Sequence, residues 1–252
     1  MTRVFLDHTR ISGDIATVNG SDAHHLLHVL RMGPGDSFTV VDERGVQREA
    51  TITEAGGERL RASLGEPRRV PVEPVVELVL YHGLPRASRY ETSLRMCTEL
   101  GVSGFVPVLS AKSVVRIEGQ AVERKRERWQ RIVAEAAKQC GRSRIPEVAP
   151  PMPWGAALEY SRATGAPGVM PSAGLAGSEA PSLGEWARGL AEDSARSLGL
   201  FIGPESGFDL AEEAAARDAG VALVTMGPRI LRTEPAAVVA AAICLDRMGE
   251  LG

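Results

Sequence analysis

Two short glycine-proline loops near the carboxyl end constrain this chain more than any other feature. They read Ile202-Gly203-Pro204-Glu205-Ser206-Gly207-Phe208 and Met226-Gly227-Pro228-Arg229-Ile230-Leu231-Arg232-Thr233-Glu234. Each follows a short apolar run and precedes a segment with helical signals. Strand, tight loop and helix, twice in succession, is the pattern of a parallel α/β sheet. In such sheets the loops at the carboxyl ends of the strands line the ligand crevice. Both loops are therefore expected around one cleft.

The flanking residues agree. Asp209 and Glu212 have the spacing of a capping box, so a helix begins directly after the first loop and ends near Gly220. Thr233 can cap the last helix, and Pro235 falls in its first turn, where a missing N–H costs little. From Ala236 to Leu245 that helix is apolar on every side. It must be covered all round, either inside the domain or by a second subunit. Upstream, residues 75–81, 105–109 and 198–202 read as strands, with a short one at 169–170. Residues 89–100, 122–140 and 182–195 read as helices. The longest of these places Trp129, Ile132, Val133, Ala136 and Cys140 on one face, with Arg124, Arg128, Arg131 and Lys138 mostly away from it.

The first seventy residues read differently. Ser21 can cap a helix over 22–31, which Gly33-Pro34-Gly35-Asp36 ends with a turn. Strand-like runs follow at 37–41, 46–53 and 59–64, a spacing that suggests a small barrel. The stretch from Glu66 to Pro74 carries prolines that disfavour both helix and central strand, and reads as a linker. The division expected is 1–72 and 73–252, a small β-rich domain followed by an α/β domain.

Charge and composition narrow the function. A net charge of −3 over 252 residues excludes a wholly basic nucleic-acid binder. The distribution is uneven, since residues 112–147 carry ten Lys/Arg against five Glu, and 148–252 carry seven Arg against thirteen acids. Arginine forks suit phosphate, although a compositional bias of the whole chain gives the same pattern. No apolar run has the length of a membrane span, and the amino end lacks a signal-peptide core. Cys97, Cys140 and Cys244 show no metal or redox spacing. A cytoplasmic protein without metal or membrane partner is expected. The first loop has no lysine for a P-loop, and no dinucleotide fingerprint is present. Glu205 would repel a phosphate cluster, so a ligand with adenine-like or amino-acid groups suits the loops better than a polyphosphate.

These residues resemble a known family. Ile-Gly-Pro-Glu-Ser-Gly-Phe at 202–208 and Met-Gly-Pro-Arg-Ile-Leu-Arg-Thr-Glu-Pro-Ala at 226–236 are similar to the paired signatures of the RsmE ribosomal RNA methyltransferases, of the SPOUT class. Three further segments agree, His24 to Arg31, Arg95 to Val102 and Gln139 to Pro146. The resemblance implies a PUA-like RNA-binding domain, a carboxyl-terminal α/β domain with a deep trefoil knot, a homodimer and S-adenosylmethionine as cofactor. It implies methylation at N3 of one uridine in 16S ribosomal RNA of the small subunit. The chain departs from the family at Ser206, where a second glycine is usual, at Pro235, where threonine is usual, and at Arg95, where lysine is usual.

On that resemblance the cofactor pocket comes from Gly203, Pro204, Glu205, Met226, Gly227, Ile230, Leu231 and Arg232, with Met170 and Pro171 as a third wall. Arg232 is the candidate to stabilise the uracil anion, an oxyanion-hole type of contribution. Glu234 or Glu205 can take the N3 proton, or can instead hydrogen-bond backbone or ribose. Arg31, Arg131, Arg142 and Arg144 are the RNA-binding candidates, through salt-dependent phosphate contacts. His24, His25 and His28 lack a third acidic or thiol ligand nearby, so a polar or RNA-facing surface is expected there and no metal.

Overall fold

The computed structural model describes residues 2–113 and 119–251, and these divide into two compact units. The first runs to Glu73 and includes Ala137–Ile145; the second comprises Pro74–Ala136 and the chain from Pro146 onward.

The first unit contains β1 (Arg3–Leu6), β2 (Ile11–Ser12), β3 (Ile15–Asn19), α1 (Gly20–His24), β4 (Ser37–Asp42), β5 (Gln47–Gly56) and β6 (Arg59–Leu64). The strands form one six-stranded sheet in the order β1-β4-β5-β6-β3-β2, and no pairing among the described residues joins β1 to β2. Exposed and buried residues alternate strictly along β6, as a sheet with one wet face requires. The inward positions supply the core, with Val18, Phe38, Val40, Ile52 and Leu60 all buried.

The helix expected over 22–31 is a correction. Regular α-helix stops at His24, and residues His25–Val29 form a π-turn in which the Leu30 N–H donates to the His25 carbonyl at 2.9 Å. The periodic signal rested on Ala23 and Leu26, both fully buried. Beyond them Val29 and Leu30 are exposed, so no buried face holds a regular helix to Arg31.

Residues 141–145 return to this unit without regular structure, and one carboxylate organises them. Glu73 accepts from Arg142 at 3.1 Å (Nε) and 2.6 Å (Nη2), from the Ser143 N–H at 2.7 Å and from the Arg144 N–H at 3.0 Å. Burial alone would raise the Glu73 pKa, but the Arg142 guanidinium and the two amides outweigh it and hold the carboxyl below its ordinary value.

The second unit holds β7 (Glu77–Gly83), α2 (Ala87–Leu100), β8 (Gly104–Leu109), α3 (Gln120–Cys140, its last turn in the first unit), β9 (Glu147–Val148), β10 (Met152–Pro153), α4 (Trp154–Thr164), β11 (Gly168–Pro171), α5 (Leu183–Glu192), β12 (Ser197–Ile202), α6 (Leu210–Asp218), β13 (Ala222–Val224) and α7 (Thr233–Arg247). Its sheet is wholly parallel, in the order β10-β8-β7-β12-β11-β13, with β9 also on β8. The central strands are apolar on both faces, as β7 shows with Leu78, Leu80 and Tyr81 all buried. From β7 the chain moves outward to β8, then returns on the other side through β11 and β12. A crevice is expected at that reversal, beyond the carboxyl ends of β7 and β12.

Asp209 caps α6 in the expected box, giving its carboxylate to the Glu212 N–H at 2.8 Å. Ser182 and Glu185 form a second box on α5. Helix α7 buries Ala237, Ala240, Ala241, Cys244 and Leu245 and leaves Val239 40% exposed, so the chain itself covers one face only. On α3, Ala137 is buried and Cys140, which the spacing put on the apolar face, is exposed. Helix α4 went unread, because it follows a proline and buries only Ala157, Leu158 and Ser161. Beyond α7, the Glu250 carboxylate accepts from the Val75 N–H at 3.0 Å and the Val76 N–H at 2.9 Å.

Replacing Glu73 with alanine would leave the Arg142 guanidinium buried without its carboxylate. A loss of about 3 kcal/mol is expected, read from urea unfolding followed in the first unit. The wild-type contribution is complete above the ordinary carboxylate pKa and is lost as pH falls through the lowered folded value.

Candidate functional site

The two glycine-proline loops meet. Gly203, Pro204 and Glu205 from the first, with Met226, Gly227, Ile230 and Leu231 from the second, line one cavity of about 330 Å³, and Pro171 closes it from the end of β11. Met170 is fully buried in the core behind it and does not line it. Arg232 is exposed, as the residue just before α7, and lies outside the lining.

The loop conformations follow from close approach. Strand β12 pairs with β7 so that Ile202 faces His82. One residue further on, a Cβ on Gly83 would stand 2.5 Å from Pro204 Cδ. A Cβ on Gly203 would stand 2.9 Å from Gly207 Cα, turned into its own loop. Neither position accepts a larger residue without moving the cavity wall.

A buried relay holds the first loop to the second. The Thr233 hydroxyl donates to the Gly203 carbonyl at 2.6 Å and lies 2.8 Å from His82 Nε2. With the hydroxyl hydrogen directed at Gly203, the imidazole is the donor, which makes His82 the Nε2–H tautomer. His82 is fully buried, and desolvation pushes its pKa down to about 3. Its Nδ1 has no partner among the described residues. Thr233 was expected to cap α7. Instead the residue before the helix is Arg232, without a side-chain cap bond, and the Thr233 hydroxyl serves the relay.

A second link crosses the rim. Arg89, in the first turn of α2, places Nη1 3.3 Å from Glu205 and Nε 3.8 Å from Glu234. Glu205 also accepts from the Arg86 N–H at 3.1 Å. The two carboxylates proposed for proton transfer thus share one guanidinium, and the second oxygen of Glu234 is buried without a partner among the described residues. Behind the first loop, Ser206 donates to the Lys112 carbonyl at 3.4 Å, and Glu212 accepts from the Ala111 N–H at 2.7 Å. Deeper in the cavity Ser172 donates to Glu213 at 2.6 Å. The sequence reading missed His82, Arg89, Ser172 and Glu213. Arg89 opens a helix it did place and His82 falls one residue past the strand read over 75–81, but no motif marks either. Buried Cys97 and Cys244 have thiols pushed up to about 12 by desolvation and offer no nucleophile.

Comparison with known proteins assigns the family. Residues 71–245 match an RNA methyltransferase domain, and residues 18–64 an RNA methyltransferase PUA domain. Ribosomal RNA small subunit methyltransferase E of Mycobacterium bovis is 33% identical over 94% of this chain and 88% of its own length. The chain belongs to the ribosomal RNA small subunit methyltransferase E family. The Bacillus subtilis member is 27% identical over 95% of this chain and 94% of its own. A crystal structure of the Neisseria gonorrhoeae member bound to S-adenosyl methionine superposes with a TM-score of 0.85 at 28% identity, covering 98% of this chain and 97% of that one.

Within this methyltransferase E family, the chain's own departures are accommodated. Left-handed backbone occurs at Gly207, φ 68°, and not at Ser206, so the serine brings no strain. Pro235 lies in the first turn of α7, where no intrahelical N–H bond is lost. Among the RNA candidates, Arg31, with φ 57°, Arg131 and Arg144 are exposed. Arg142 is only 6% exposed and bound to Glu73; it is a structural residue and leaves the RNA-facing set. Arg128, too, is engaged, by Glu91 at 2.7 Å. His24 and His28 stand with ring centroids 4.8 Å apart, and no group of three potential metal ligands occurs among the described residues. No described helix is long and apolar enough to cross a membrane.

His82 stays neutral to about pH 3 in the folded chain, against an ordinary value of 6.5. The unfolded chain therefore binds more protons between these limits, and stability falls with pH by about 1.4 kcal/mol per unit from this group. Denaturant midpoints at pH 6.5 and 5 are expected to fall more in the wild type than in His82→Gln; equal changes would refute the assignment.

Proposed function

We propose that this protein transfers a methyl group from S-adenosylmethionine to N3 of one uridine in 16S ribosomal RNA, acting on the small ribosomal subunit as a cytoplasmic homodimer. The observation that carries the proposal is the convergence of both glycine-proline loops and Pro171 on one cavity of about 330 Å³, a volume in the small-molecule range. Its lining fits the cofactor. Backbone groups of Gly203, Gly227, Ile230 and Leu231 suit a nucleoside, and the Glu205 and Glu213 carboxylates suit a ligand bearing positive charge. Family membership, and the S-adenosyl methionine named for the Neisseria gonorrhoeae structure, support the same reading. We extend it to the finer fold, with closure of the first sheet into a PUA-like barrel and a SPOUT-type trefoil knot in the second unit.

The bound cofactor supplies a methyl group on a sulfonium centre, whose departure needs no acid. The chain's own task is to orient the acceptor base and lower the cost of ionising it. The loops hold the two reactants in line, an orientation effect. Arg232, exposed and without an ion-pair partner among the described residues, is available to the uracil oxygens, where it would stabilise the anion by about 3 kcal/mol. Glu205 and Glu234 are the proton acceptors on this reading, held at the rim by Arg89. Arg31, Arg131 and Arg144 contribute phosphate affinity that weakens with salt. The incompletely covered face of α7, with Val239 exposed, supports the homodimer.

Nucleoside mass spectrometry of ribosomal RNA from a deletion strain should show loss of N3-methyluridine from the small subunit; an unchanged nucleoside profile would reject the proposal. Gly203→Val is expected to abolish calorimetric S-adenosylmethionine binding through distortion of its loop. Arg232→Ala should retain the affinity and lose turnover by about a hundredfold, and full turnover in that variant would remove Arg232 from the mechanism.

A further inference from the structure

We infer that His82 is a positioning residue for the cofactor cavity, acting through the Thr233 hydroxyl on the carbonyl of Gly203. The inference rests on the cofactor reading above and deepens it. The Gly203-Pro204 peptide forms part of the cavity wall. Proline has no N–H, so the Gly203 carbonyl is the only hydrogen-bonding group with which that peptide plane can be held. Thr233 Oγ1 takes it at 2.6 Å. A threonine hydroxyl has one hydrogen and rotates freely about its C–O bond. In the first turn of a helix its oxygen can instead turn to accept from a free backbone N–H, so something must fix its direction. His82 Nε2, 2.8 Å away, does so by donating to the oxygen lone pair, which leaves the hydrogen to point at Gly203.

An apolar residue would serve the strand better on stability alone. His82 lies between Tyr81 and Gly83, fully buried, with Nδ1 unpartnered among the described residues. A buried polar atom without a partner destabilises the fold, and the imidazole is present despite that cost. Its neighbour Gly83 already excludes a larger residue because of Pro204. The carboxyl end of β7 is thus shaped around the first loop in two successive residues, one by its missing side chain and one by a hydrogen bond. The three atoms of the relay come from three separate elements, β7, the loop after β12 and the start of α7, so the relay sets the first loop against the second.

The test is calorimetric titration of S-adenosylmethionine into the full-length wild type, His82→Leu, His82→Gln, Thr233→Val and Thr233→Ser, with thermal melting of each. Wild-type binding tests the cofactor reading itself; no binding there refutes that reading, whatever the variants do. Given wild-type binding, His82→Leu and Thr233→Val should each weaken affinity about tenfold or more, the equilibrium equivalent of one lost buried hydrogen bond. A variant combining His82→Leu with Thr233→Val should be little worse than either single one. His82→Gln, which keeps an N–H donor, and Thr233→Ser should recover most of the affinity. Variants that melt earlier but bind as the wild type does would show a merely structural histidine and overturn the inference. Should His82→Leu fail to fold, the Thr233 pair and nitrogen-15 spectra of the wild type decide it. A neutral Nε2–H imidazole at position 82, perturbed on adding the cofactor, is expected; the Nδ1–H tautomer would overturn it.

Discussion

Everything at the candidate site depends on how closely β7 and β12 end beside one another. The pairing of Ile202 with His82 brings Gly83 against the Gly203-Pro204 peptide, with no space for a methyl group between them. That contact fixes where the first loop leaves the sheet, and the cavity wall follows from it. A parallel sheet buried on both faces makes such precision affordable. Leu78, Leu80, Leu198 and Leu200 are fully enclosed, and each contributes on the order of 2 kcal/mol to holding the strands in register.

The cavity is built from backbone and braced by side chains that stand behind it. Ser206 ties the first loop, and Glu212 the start of α6, to the chain after β8, Thr233 ties the loop to the start of α7, and Arg89 spans the rim. Such a division suits a methyltransferase acting on a large RNA. In the proposed function the backbone groups would hold the small cofactor in a fixed orientation and leave the exposed rim to the substrate. The carboxylates at that rim come from different loops, and the shared arginine keeps both within reach of one point without bringing them together.

Much of this could be read from the chain, for definite reasons. The loops were legible because glycine and proline restrict the backbone wherever they occur, and the capping box of α6 because Asp209 and Glu212 act within one turn. What escaped depends on distance along the chain. His82 and Thr233 are separated by 151 residues, Glu205 and Arg89 by 116, and no local pattern announces such partners. Arg142 misled for a related cause. Among exposed arginines it looked like one more phosphate ligand, and only Glu73, 69 residues earlier, gives it a structural task. The π-turn after α1 was invisible because apolar residues at 29 and 30 imitate a helical stripe that the fold leaves in solvent.

The bond from Glu250 to the amides of Val75 and Val76 has a kinetic consequence. It joins residues 175 positions apart, and the strand it secures, β7, lies inside the sheet and not at its margin. Closing so large a loop is slow, since chain entropy is lost before the contacts that reward it exist. During synthesis the central strand of the second unit is made first and has β8 as an early partner, while the bonds just before its start wait for Glu250. Assembly of that unit is completed only when the chain beyond α7 has emerged, long after the first sheet has all six of its strands.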